Sequence, residues 1–175
     1  MKDLDSRTPG MQTNYGKGTV KEEIRMNNIA LQRLYDAGWT PDRKVDITPI
    51  EEAYASENMV IPDRLREFFI SYGFLVIKYD IQHTEPERHS INPIADFKNY
   101  SKEDFAHLLD DYEIYGMAYP AGFAYRGNMS IYYHDDGNFY VFMEGGPLFR
   151  AGSGEALIAA LCGDKESDDA WVEIE

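Results

Sequence analysis

Cysteine is almost absent from this chain of 175 residues, with Cys162 the single example. An intramolecular disulfide is therefore excluded, as is a metal cluster built on several thiolates. Long apolar runs are also missing. The longest, residues 68–70 and 74–77, are far short of the roughly 20 residues that cross a bilayer as a helix. Basic side chains are scarce in the second half. Residues 1–100 hold 13 Lys and Arg against 16 Asp and Glu, whereas residues 101–175 hold 4 against 15. Nearly all of the net charge of −14 thus sits after position 100. A field of that sign repels nucleic acid and anionic membrane surfaces, and it speeds encounter with basic partners. Neither nucleic acid nor membrane is expected as a direct ligand. Residues 1–23 contain no apolar stretch of the kind a secretory signal needs, so a cytoplasmic location is expected.

Aromatic residues, by contrast, make up 14% of the chain, including 13 Tyr and 9 Phe. Such rings suit sheet faces and amphipathic contacts. Residues 1–19 read as a flexible leader, 20–163 as one domain, and 164–175 as an acidic tail; no internal repeat is visible. The spacing of Ile24, Leu31, Leu34 and Tyr35 predicts a helix over 21–37, capped by Gly38 and blocked by Pro41. A short strand over 45–47 and a helix over 49–57 follow. Leu65, Phe68, Phe69 and Tyr72 form an i, i+3, i+4, i+7 stripe that predicts a helix from Pro62 to Gly73, and residues 74–79 read as a buried strand. Residues 80–99 read as a long excursion, a hairpin with an irregular tip. Ser101 is a good N-cap for a helix carrying Phe105, Leu108, Leu109 and Tyr112 on one face. Strands over 129–134 and 139–144 flank a turn at Asp135-Asp136-Gly137-Asn138. A short strand over 147–150, a helix over 155–161 and a tail of which Trp171, Val172 and Ile174 could dock complete the chain. Helices early and strands late predict an α+β fold, a mainly antiparallel sheet with helices packed on one face.

No constellation in the sequence assembles an active site. His83 and His89 flank Glu85 and Glu87, but without helical i, i+4 spacing or a further ligand set, and a solvated loop accounts for them better than a metal site. Asp135 and Asp136 beside His134 fail the calcium-loop template, because Tyr132 falls where its first aspartate belongs. Neighbours on a hairpin also point to opposite faces, so turn chemistry explains them. Gly152-Ser153-Gly154 lacks the rest of a phosphate loop, and Glu155 would oppose an anion. Cys162, in an apolar helix, reads as a buried small hydrophobe, and His107 as a satisfied or exposed histidine. Neither catalysis nor a cofactor is expected. Asp110, Asp111 and Glu113 fall where the helix from Ser101 would end, and carboxylates there oppose the helix dipole at a few tenths of a kcal/mol each. Together with Asp135, Asp136 and Glu144 they are the candidates for contact with a protein partner.

Residues 34–39, Leu-Tyr-Asp-Ala-Gly-Trp, followed by Pro41, Arg43 and Val45-Asp46-Ile47, resemble the opening signature of the third SUKH family of immunity proteins. The resemblance runs in order through the helix and strand of 65–75, the Asp135-Asp136-Gly137 hairpin and the closing helix to Gly163, covering about residues 28–164. One departure is Phe74, where the family carries a second glycine after Gly73. The resemblance implies a small α+β domain encoded beside a polymorphic toxin, often a nuclease, and inhibition by tight binding to the toxin's C-terminal domain. A regulatory scaffold, the role of some SUKH relatives, is the other function it implies. A metal-dependent enzyme would need the His83 and His89 excursion. Within the signature, Gly38, Trp39, Pro41, Arg43, Asp46 and Gly137 are expected to be structural, with Trp39 locking its helix onto the sheet and Arg43 pairing with Asp46.

Overall fold

The structure, a computed structural model, describes residues 26–81, 85–163 and 172–174. The expected leader, residues 21–25 of the first helix, His83 and the tail from 164 to 171 lie outside them. Three helices open the fold: α1 (Asn28–Asp36), α2 (Thr48–Ser56) and α3 (Asp63–Tyr72). Strands β1 (Val76–Tyr79) and β2 (Glu87–Ser90) form a hairpin. The short helix α4 (Lys102–Ala106) then leads to β3 (Ala118–Ala124), β4 (Met129–His134), β5 (Phe139–Phe142) and β6 (Leu148–Ala151). Helix α5 (Gly154–Cys162) and β7 (Val172–Ile174) follow. The strands make one sheet in the order β1-β2-β3-β4-β5-β6-β7, antiparallel throughout. It is the α+β fold the sequence predicts.

Register explains how each face is filled. Tyr133 pairs with Phe139, and Phe139 packs on Phe68 of α3 at 4.8 Å between centroids. That inner face also takes Ile77 and His89, both fully buried, beneath α1 and α5. Pleating sends the alternate set, Tyr132, Tyr140 and Phe142, to the outer face. There Phe105 of α4 lies over Tyr132 and Tyr112 edges onto Phe142. Packing on the long helices is thus on one face, and the segment from 96 to 115 roofs part of the other. Tyr54 of α2 ties both layers together, edging onto Phe69 and Phe97 and donating to the Pro120 carbonyl at 2.5 Å.

The signature residues make contacts within the fold, and two sets of these contacts differ from expectation. Helix α1 ends in a Schellman motif, with Gly38 N–H bonded to Tyr35 O and Trp39 N–H to Leu34 O. Gly38 sits at φ +87°, which explains glycine there. The ring contacts of Trp39 are with helix-borne side chains. It stacks on Tyr72 of α3 at 5.9 Å and 6°, so it locks helix to helix. Nor does Arg43 pair with Asp46. Its guanidinium donates to the Ser71 and Gly73 carbonyls at 2.8 and 2.9 Å, where a helix C-terminus leaves acceptors unpaired and carries partial negative charge. Asp46 instead accepts from the hydroxyl and N–H of Thr48 at 2.6 and 3.0 Å, starting α2. Those bonds hold its carboxyl below the ordinary range. Pro41 occupies the turn closed by Arg43 N–H to Thr40 O. Phe74, at the departure from the family pattern, adopts φ +61° and donates its N–H to Ile91 O. Residues 45–47 are not a strand, Ile47 lying at φ −101° and ψ 8°, and the strand expected from 74 begins at Val76.

Candidate partner-binding face

The expected helix from Ser101 stops early. Ser101 does cap it, forming a reciprocal box with Asp104, but α4 ends at Ala106, and Asp110–Tyr112 form a separate 3-10 turn. Asp110, Asp111 and Glu113 therefore do not end that helix, and the dipole argument for them fails. At the break, His107 closes α4 with its ring nitrogen 2.9 Å from Asp110, and Leu109, fully inside, turns the chain onto the sheet. What places these acids is the route of the chain across the outer face. Tyr112 donates to Gly146 O at 3.1 Å, beside the β5–β6 turn that bears Glu144. Met117 N–H donates to Asp135 at 2.9 Å, in the β4–β5 turn. The six acidic candidates are spread over three segments, the 3-10 turn and its end, the β4–β5 turn and the β5–β6 turn, and are not gathered at a point.

Their chemistry divides them. Asp135 also accepts from Tyr119 at 3.1 Å, and Asp136 accepts from Tyr140 at 2.7 Å and from Asn138 N–H at 2.9 Å. Burial pushes Asp136 up, but the bonds from Tyr140 and Asn138 and the nearby His134 outweigh it and leave the carboxyl below its ordinary range. Gly137 completes that turn at φ +87°. These two aspartates serve the hairpin first. Asp111, Glu113 and Glu144 are exposed, and their carboxylates have no hydrogen bond or ion pair among the described residues. Two exposed apolar side chains stand among them, Tyr115 at 72% and Met143 at 46%. Tyrosine and methionine are favoured at interface centres. Single exposed apolar residues leave no periodic trace, so the sequence pattern could not single them out.

The other end of the outer face is basic. Val76, Lys78, Arg88 and Ser90 project outward from β1 and β2 opposite Phe123 of β3. Two adjoining hollows of about 230 and 370 Å³ open there, sharing Arg88 and Arg126. Arg126 stands on a left-handed turn, Tyr125-Arg126-Gly127, at φ 50°, 62° and 89°. Non-glycine residues there cost about 1–2 kcal/mol each. Beneath it lies His89, which is not in a solvated loop as expected but fully buried on β2. Tyr125 N–H donates to its Nδ1 at 3.3 Å. Nε2 must then carry the hydrogen, and it donates to Tyr79 at 3.1 Å, which donates on to Leu161 O at 3.0 Å. Both ring nitrogens are used, so His89 has none left for a metal. Burial, then the nearby Arg33, pushes its pKa down to about 4. Cys162 is buried as expected, and burial raises its thiol to about 12. Among the described residues, no three His, Cys, Asp or Glu converge as metal ligands, and no helix is long and apolar enough to cross a membrane.

The model of the SUKH-3 immunity proteins matches residues 26–164 of this chain. The chain belongs to the SUKH-3 immunity protein family. The matched span contains α1 to α5 and every signature residue described above, together with both ends of the outer face. No curated protein and no solved structure matches the chain. Membership in SUKH-3 gives the protein an immunity role, in which it binds a cognate toxin.

Proposed function

We propose that this SUKH-3 protein neutralises its toxin by occupancy alone, setting the outer face of its sheet over a basic toxin domain whose activity is that of a nuclease. The observation that carries this reading is the set of unpaired, exposed carboxylates Asp111, Glu113 and Glu144 beside Tyr115 and Met143. Nuclease domains must approach phosphates and present basic surfaces to do so. An acidic rim around exposed aromatic and thioether side chains fits such a surface. Asp110, Asp135 and Asp136 add their charge to the field even though their oxygens are used internally. The cell making this protein would house it in the cytoplasm, where the incoming toxin acts.

The test uses the C-terminal domain of the toxin encoded beside this gene. The two should co-purify, and the immunity protein should rescue growth of cells expressing that domain. Reversing Asp111, Glu113 and Glu144 to Lys should slow association by on the order of 10-fold or more at low salt and flatten its salt dependence. A triple reversal that binds as fast and with the same salt slope removes the assignment of this surface.

A further inference from the structure

The basic hollow over β1–β3 is unexplained by an acidic plug. In a chain of net charge −14, Lys78, Arg88 and Arg126 stand together, with Glu87 the one acid among the described residues that line their hollows. Arg126 reaches Glu87 at 3.4 Å and the Glu85 carbonyl at 3.3 Å. Lys78 and Arg88 are exposed and make no ion pair among the described residues. Ser90 and Asn92 add neutral polar atoms to the wall, and Phe123 gives it an apolar floor. Glu87 supplies a further clue. The residue is only 8% exposed, yet its Oε2 has no hydrogen-bond partner. A complete occupant therefore brings carboxylates for the guanidinium groups and a hydrogen-bond donor for Glu87.

From this we infer that the hollow between Lys78, Arg88, Arg126 and Glu87 is a second docking site, which receives an acidic loop of the partner protein. The inference rests on the reading of the protein as a toxin-binding module and adds a contact of opposite sign to it. A peptide loop meets both demands, since Asp or Glu side chains pair with arginine in a bidentate fork and backbone N–H groups supply donors. A phosphodiester backbone supplies acceptors alone and leaves Glu87 unsatisfied, and a phosphate ion has no chain of backbone N–H groups to line the hollow. A nucleic-acid strand is also repelled at range by the remainder of the surface. The hollow is short, the size of a few side chains, and matches a loop more closely than an extended polyanion.

The full-length protein with labelled arginines is titrated by NMR with a capped hexaglutamate peptide, inorganic phosphate and a single-stranded DNA 12-mer. Hexaglutamate should shift Arg88 and Arg126 signals with a Kd on the order of millimolar, and Arg88→Glu should abolish the response. No peptide response, or an equal response to phosphate or DNA, overturns the assignment. Against the toxin domain, Arg88→Glu should weaken binding by roughly 30-fold or more, Arg88→Lys by less, with Tm unchanged because Arg88 holds no internal partner. Unchanged affinity for Arg88→Glu, or a fall in Tm that tracks the loss, sinks the inference while leaving the immunity reading intact. Should the wild-type chain bind hexaglutamate in the hollow but not the toxin domain, the choice of toxin falls and the site stands.

Discussion

Over β4–β6 and the Ala118–Pro120 end of β3 the outer face of the sheet is aromatic and roofed, whereas over β1, β2 and Phe123 it is basic and open. The roofed half gains its cover from Phe97, Phe105, Leu109 and Tyr112, all delivered by one irregular segment. Its acids ride on the outside of that cover. The open half keeps its polar side chains directly on the strands, and its precision comes from below, through the His89, Tyr79 and Leu161 chain. One half is therefore held by hydrophobic burial and the other by directional hydrogen bonds. The difference teaches that the two charged ends of the face can be perturbed separately.

The largest expected effect comes from removing the roof. Phe105 is fully buried against Phe97, Tyr100 and Tyr132. Phe105→Ala should cost about 3–5 kcal/mol in denaturant unfolding, with hydrogen exchange rising first over residues 96–117. A loss spread evenly over both halves would break the comparison. Next comes the seam between the halves. Gly122 lies at φ +147°, and a Cβ there would sit 2.1 Å from the Ser90 carbonyl oxygen. The β2–β3 ladder is a single registered pair, Ser90 with Phe123. Gly122→Ala must push β2 away, at about 3 kcal/mol. Exchange protection should then fall in β1 and β2 and persist in β4 and β5.

These two halves were unequally legible in the sequence. Regular elements with strong periodicity, such as α3, α5 and the β4–β5 hairpin, stand in the structure within a residue or two of their predicted bounds. Caps were readable as well, because Ser101, Gly38 and Gly137 act through local geometry. What the sequence hid depends on distance. Phe105, Leu108, Leu109 and Tyr112 keep helical spacing, but the structure breaks the helix so that Tyr112 can reach Gly146, 34 residues away. Arg43 and Asp46 are three apart and of opposite charge, yet each finds better geometry elsewhere. His89 reads as polar and loop-borne until β1 and β3 bury it. The basic hollow draws on residues 78, 88 and 126, which no local window contains.

The smallest effect is also the most specific, because the two halves respond to pH with opposite sign. Asp96 sits under the roof, 2% exposed, with Oδ2 unpartnered and Tyr54 and Tyr132 nearby; burial raises its pKa from 3.8 to about 7. Between those values the folded state holds a proton that the unfolded state has lost, so stability falls as pH rises. His89, facing Arg33, Tyr79 and Tyr125, is shifted from 6.5 to about 4. There the unfolded state holds the extra proton, and stability rises with pH. From pH 4 to 6.5 the two slopes oppose each other, so their joint contribution in the wild type is nearly flat. Asp96→Asn should expose the rising slope and His89→Gln the falling one, each on the order of 2 kcal/mol across the window. The readout is the slope of unfolding free energy against pH, which does not depend on how much either substitution costs overall. Slopes of the same sign in both variants would show that burial does not shift the two groups in opposite directions in proton binding, and the contrast in pH response would fall.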